Sequence, residues 1–226
     1  MPLSITLSAQ GFLRDSDGVL KGFFCSFEGL DGCGKTTQIK LLKQRLEKTG
    51  KEVVTFREPG CTKLGEDIRG VLLDPVADIC DRSEVLLYLA SRAQVTEDII
   101  IPALNSGAIV LADRFADSSV AYQGYGRGLG AGTVEKLNDF AIKRIYPDLT
   151  ILLDISVEDV FKRLENKSLD RLEKEKGRFW FDVKRGYDWL AEKHNDRYLR
   201  LDGKADYMTI HEEVWKALFS RTEIFD

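Results

Sequence analysis

Residues 23–37 read FFCSFEGLDGCGKTT, an apolar run that passes into a glycine-rich turn and then into Gly34-Lys35-Thr36. Gly29, Gly34, Lys35 and Thr36 satisfy the pattern G-x-x-x-x-G-K-[ST], and the run before them has the composition of a buried strand. After them, Ile39, Leu42 and Leu46 fall on one face of a helix predicted over 35–48, with Gly50 as its stop. A strand, this loop and a helix in that order form a phosphate-binding loop. Its glycines let backbone N–H groups curl around phosphate oxygens, and the helix N-terminus adds positive potential. In such a loop Lys35 bridges the β- and γ-phosphates of ATP and the Thr36 hydroxyl ligates Mg²⁺. The ATP site is therefore expected to comprise Gly29, Leu30, Asp31, Gly32, Cys33, Gly34, Lys35, Thr36 and Thr37.

Outward from the loop, apolar runs alternate with amphipathic stretches, the pattern of a parallel sheet between helices. Strands are predicted at 53–56, 108–112, 149–154 and 197–201, and a long helical region at 82–105. The glycine-rich stretch 123–132 reads as a flexible loop between helical segments. The expected fold is a three-layer α/β/α P-loop NTPase domain with a five-stranded parallel sheet. It spans residues 23–226, after an extension at 1–22 that precedes the first convincing strand, lacks the layout of a signal peptide and reads as a mobile tail or a small added hairpin. In open α/β sheets ligands bind beyond the carboxyl ends of the strands. Glu28-Gly29, Arg57-Glu58 and Asp113-Arg114 all follow strands, so they are expected to converge on one cleft.

Bulk properties narrow the function. Lys and Arg number 33 against 37 Asp and Glu, and the net charge of −4 offers no overall attraction to nucleic acid or to an anionic membrane. No run approaches the roughly 20 apolar residues needed to span a bilayer. Cys25, Cys33, Cys61 and Cys80 include no CxxC pair, which argues for free thiols in a reducing, cytoplasmic setting rather than for zinc or redox chemistry. A switch GTPase is disfavoured. The D-x-x-G match at Asp67–Gly70 lies in a helical stretch, and Asn166–Asp170 is one residue too long for N-K-x-D.

Six segments, in order, closely resemble the thymidylate kinase family: FEGLDGCGKTT (27–37), FREPG (56–60), EVLLYLASRAQ (84–94), DRFADSSVAYQG (113–124), YPDLTILLD (146–154) and LDRLE (169–173). The resemblance implies transfer of the ATP γ-phosphate to dTMP, giving ADP and dTDP in dTTP biosynthesis, by a homodimer. It assigns Asp31 as the loop carboxylate near the acceptor, holding Mg²⁺ through water or orienting a substrate oxygen, and Arg57 and Arg114 as grips on the acceptor phosphate. Planar guanidinium forks suit that contact. Asp113 stands near Mg²⁺ or orients Arg114, and Glu58 joins the substrate site. Tyr88 stacks on the base and Arg92, one helical turn on, reaches its O4. Ser118, Ser119, Tyr122 and Gln123 belong to the stretch lining the pyrimidine and deoxyribose, with Tyr122 as the check against a 2′-hydroxyl. Another nucleoside or nucleotide kinase of the same fold is the alternative enzyme. A nucleotide-binding regulator is the alternative of a different class.

The loop itself carries no basic residue among Leu30, Asp31, Gly32 and Cys33. Some family members place a basic residue there and others, the bacterial type, place a helper arginine in a lid. By that resemblance the charged segment 164–177 is the lid that keeps water from the γ-phosphate. Arg171 is its transition-state candidate, with Lys167 and Arg163 nearby. Cys61 departs from the glycine that the family repeats after the REPG turn.

Overall fold

Phe23–Glu28 forms strand β1, and all six residues are buried because β1 is paired on both sides. The computed structural model describes residues 22–165, 170–175 and 177–221. The extension predicted at 1–22 thus falls, except for Gly22, outside the described residues, as do 166–169 and 176 of the segment read as a lid.

The sheet order is β2-β3-β1-β4-β5, with β2 at Val53–Arg57, β3 at Ile109–Asp113, β4 at Leu149–Asp154 and β5 at Tyr198–Asp202. All four pairings are parallel, so each strand must be followed by a crossover rather than a hairpin. The crossovers are α1 (Lys35–Glu47) after β1; α2 (Lys63–Leu73), α3 (Asp81–Val95) and α4 (Ile101–Asn105) after β2; and α5 (Ala116–Ser119) and α6 (Ala131–Ala141) after β3. Beyond β4 come α7 (Val157–Leu164) and α8 (Arg178–Lys193), and α9 (Tyr207–Arg221) closes the chain. Helix α1 packs along β1, β2 and β3 and against α9, while α8 packs on β5. This is the α/β/α P-loop arrangement expected.

Local chemistry explains several boundaries. Thr62 starts α2 by accepting the Gly65 N–H at 2.9 Å, and Ser156 starts α7 by accepting that of Asp159. The helix predicted over 82–105 is unbroken but widens into a π turn at Thr96–Ile100, just ahead of Pro102, which has no N–H to donate. The loop predicted at 123–132 is corrected in its first half. Val120–Gly126 winds into a π-helical stretch packed on α8. A Cβ on Gly126 would come within 2.7 Å of the Phe179 ring. That glycine serves close packing, which sequence alone does not separate from flexibility.

The core centres on β1, β3 and β4. Phe24 of β1 meets Phe115 edge-on at 5.0 Å between centroids, and Phe56 of β2 lies 6.2 Å from both. One buried ion pair ties the crossover after β3 to the far side of the sheet. Arg197 donates Nη1 and Nη2 to the two carboxylate oxygens of Asp117 at 2.6 and 2.9 Å, and Tyr198 adds its hydroxyl at 2.8 Å. Burial acts to raise the Asp117 carboxyl, but the Arg197 charge and its hydrogen bonds outweigh it and hold it below its usual value. Its stabilisation is thus full above the unfolded carboxylate range and is lost as pH falls through the lowered native value. Asp117→Asn should cost about 3–5 kcal/mol at pH 7, because Arg197 is left buried and uncompensated. Urea unfolding checks this, and the gap from wild type should close toward pH 3.

Candidate active site

Strand register puts the functional residues at one level. Phe27 and Arg57 both pair with Asp113, and Leu152 pairs with Glu28, so the residues that follow β1, β2 and β3 emerge together. They open on a cleft of about 470 Å³, lined on one side by the loop residues Asp31, Gly32 and Gly34–Thr37. The opposite side carries Arg57, Glu58, Tyr88, Arg114, Tyr122 and Gln123.

In the loop, Gly29, Gly32 and Gly34 have φ of 127°, 73° and 106°, which a side chain would resist. The Leu30 and Cys33 side chains are buried behind the loop rather than facing the cleft. Lys35 donates Nζ to the carbonyls of Gly29 and Leu30, each at 3.1 Å, which lays its stem under the loop it serves. The Thr36 hydroxyl donates to Asp113 Oδ2 at 2.8 Å, joining the start of α1 to the end of β3.

Arg114 is the hub. Its φ of 71° lies in the left-handed region, a conformation costing on the order of 1 kcal/mol or more for a residue with a Cβ. The backbone N–H donates to Phe27 O at 3.0 Å, which helps to hold that turn. Nη2 donates to Asp31 Oδ1 at 2.7 Å and to the Tyr122 hydroxyl at 3.1 Å, and Nη1 donates to the Ser118 and Tyr187 hydroxyls. Burial works to raise the Asp31 carboxyl, but the charges of Arg114 and Lys35 outweigh it and bring it down to about 2. Asp31 is therefore an anion at any working pH.

The other acceptor-side residues divide by role. Arg57 is half-exposed, faces the cleft and is steadied by two bonds to Glu66 at 3.1 and 3.2 Å. Cys61 has φ 65°, so the position where the family repeats glycine is one where glycine is physically favoured. Tyr88 is half-buried on the cleft wall. Arg92 is almost fully buried, and each of its five N–H groups already has a protein acceptor. Nε and Nη2 reach Glu58, Nη2 also reaches Phe115 O, and Nη1 reaches Ser119 and Asn138. A base contact from Arg92 must share one of these donors, whereas its grip on Glu58 and Ser119 is direct.

Arg163 and Arg171 are placed differently. Arg163 on α7 donates Nη1 to the carbonyl of Gly32 in the phosphate loop at 2.7 Å and Nη2 to Gly203 O. Arg171 is held elsewhere. Its Nε donates to Leu72 O at 2.9 Å and its Nη2 lies 2.7 Å from the buried Glu84 carboxylate. Glu84 also accepts from Gln123 and Arg127, and Arg127 continues to Glu175. Among residues 170–175, Asp170 and Leu172 line the cleft. Lys167 lies outside the described residues.

Sequence reasoning missed Glu84 and Tyr187, and it placed Glu28 at the cleft without giving it a role. Glu28 had a signal in its place at the strand end, directly before the loop. Tyr187 had none, since it arrives on α8 from more than 70 residues beyond Arg114.

A glycine loop with its lysine on one side of a cleft and arginines on the other, joined by an Asp31–Arg114 ion pair, defines a P-loop kinase built to hold two phosphates end to end. A sequence model described as "Thymidylate kinase" matches residues 27–214. The thymidylate kinase of Caldanaerobacter subterraneus subsp. tengcongensis is 46% identical over 199 residues, covering 88% of this chain and 96% of that protein. That of Fervidobacterium nodosum is 49% identical over 193 residues, covering 85% and 96%. The crystal structure of thymidylate kinase from Ehrlichia chaffeensis superposes with a TM-score of 0.71 at 34% identity, covering 87% of this chain and 98% of that one. The chain belongs to the thymidylate kinase family.

Arg163 and Arg171 are separable by experiment. Arg163→Ala should lower kcat more than Arg171→Ala does. Arg171→Ala should instead lower stability by about 1–3 kcal/mol, because buried Glu84 loses a partner. Steady-state kinetics and urea unfolding on both variants decide this, and a larger kcat loss for Arg171→Ala reverses the assignment.

Proposed function

We infer that this enzyme transfers the γ-phosphate of ATP to dTMP, giving ADP and dTDP and feeding dTTP biosynthesis. The observation that carries the reading is the Asp31–Arg114 pair at 2.7 Å, which sets an acceptor-side arginine directly against the phosphate loop in a chain of this family. The acceptor arrives as an anionic phosphate, so the protein has little proton transfer to perform. Its task is to bring two repelling anions together and neutralise the charge that spreads over the transferred group.

Lys35 and the loop N–H groups hold the donor phosphates, and Arg57 and Arg114 hold the acceptor phosphate. Tyr88 stacks on the base, while Ser119 and Gln123 edge its pocket. Tyr122, buried and bonded to both Asp31 and Arg114, stands where a ribose 2′-hydroxyl would need space. Segment 164–177 is read as the lid that excludes water, and Arg163, just before it, donates to the Gly32 carbonyl of the loop.

The residues present suit Mg²⁺. Thr36 and Asp113 bring two oxygens within 2.8 Å of one another, and the ionised Asp31 supplies a third, a hard-oxygen set for an ion that keeps several waters. When bound with ATP, the ion neutralises phosphate charge.

Homodimer formation is supported by exposed apolar side chains on three helices packed side by side: Leu64 and Val71 on α2, Leu86 on α3 and Phe140 on α6, the last 88% exposed. A cytoplasmic setting is supported by the four free cysteines. Among the described residues no helix is long and apolar enough to cross a membrane.

Coupled ADP release with dTMP, dUMP, dGMP, AMP and thymidine should favour dTMP, and equal rates with another acceptor overturn the assignment. Lys35→Ala should cut kcat roughly 10²- to 10³-fold with the fold retained, as for loss of a principal transition-state donor. Phe140→Asp should shift the protein toward monomer in light scattering. An unchanged mass removes α6 from the interface.

A further inference from the structure

Glu28 is the last residue of β1 and is completely buried, yet it touches no expected ligand. Its Oε1 accepts the Phe115 N–H at 2.8 Å. Its Oε2 accepts the Ser118 hydroxyl at 2.6 Å and the Tyr187 hydroxyl at 3.1 Å. Those two hydroxyls are themselves the acceptors of Arg114 Nη1, each at 3.1 Å. A hydroxyl has one proton to give. The two hydroxyls also lie 2.9 Å from each other, and the arrangement with both protons turned to Glu28, rather than one shared between them, leaves lone pairs of both oxygens for Arg114. The carboxylate thus creates two oriented acceptors on one edge of the guanidinium, while Asp31 and Tyr122 hold the other edge.

We propose that Glu28 is a positioning residue for phosphoryl transfer, fixing the plane and reach of Arg114 through the Ser118 and Tyr187 hydroxyls. The inference rests on the reading of Arg114 as the grip on the acceptor phosphate. It explains an otherwise costly choice, since a carboxylate buried only to satisfy one backbone N–H could be replaced by a neutral amide. Burial pushes the Glu28 carboxyl up to about 7, with the Asp117 charge adding to it and the Ser118 bond and Arg114 charge opposing. A neutral side chain of the same shape is therefore tolerable at this position, and Glu28→Gln is expected to fold.

The test is a double-mutant cycle on kcat/KM for dTMP, with Glu28→Gln, Arg114→Ala and the pair. Glu28→Gln should lower kcat/KM roughly 10- to 100-fold in the wild-type background and by no more than about twofold when Arg114 is already alanine. The KM for ATP should stay within about twofold in each. Tyr187→Phe, which removes one of the two linking hydroxyls and leaves the charge in place, should give a smaller loss that likewise disappears with Arg114→Ala. Equal losses in both backgrounds, or a loss carried by the KM for ATP, make Glu28 a merely structural acid and overturn the proposal. If Arg114→Ala alone leaves kcat/KM for dTMP unchanged, the reading of Arg114 fails, and this inference with it.

Discussion

Strand β1 carries a ladder of hydrogen bonds on each side, to β3 and to β4, and cannot slide along either without breaking the other. A shift of one residue would also exchange the two faces of a strand whose every side chain is buried. This constraint delivers the phosphate loop to one place and no other. It also fixes Asp113 opposite Phe27 and Arg57 opposite Asp113, so the donor and acceptor sides are set by the same register.

Across the cleft, rigidity comes from charge rather than from apolar packing. Asp31, Arg114, Tyr122, Ser118, Tyr187 and Glu28 form one connected network, and Arg92 with Glu58, Ser119 and Asn138 forms another. Removing any member leaves a buried partner unpaired, and that penalty holds the side chains in position. The left-handed backbone at Arg114 is sustained by these contacts.

How legible this was differs by type of residue. The strands, the phosphate loop and the convergence of three strand ends follow from apolar runs and glycine spacing, which are local signals. Arg114 was legible because it sits at a strand end. The demand on Arg92 was not, since its five hydrogen bonds go to Glu58, Phe115, Ser119 and Asn138, brought together only by the fold. Arg171 was read as the transition-state candidate and Arg163 only as a basic residue nearby, because sequence does not show which of them faces the loop. They differ because one faces a backbone carbonyl of the loop and the other a buried carboxylate of α3. The stretch 123–132 misled in its first residues because a glycine needed for close packing and a glycine needed for freedom look the same in sequence.

Glu84 accepts Gln123 from the acceptor wall and is paired with Arg171 from the segment that helps to roof the cleft. One carboxylate therefore belongs to two structures at once. Gln123 and residues 170–175 thus depend on one acceptor, and a change that withdraws the Glu84 carboxylate takes a partner from both at the same stroke.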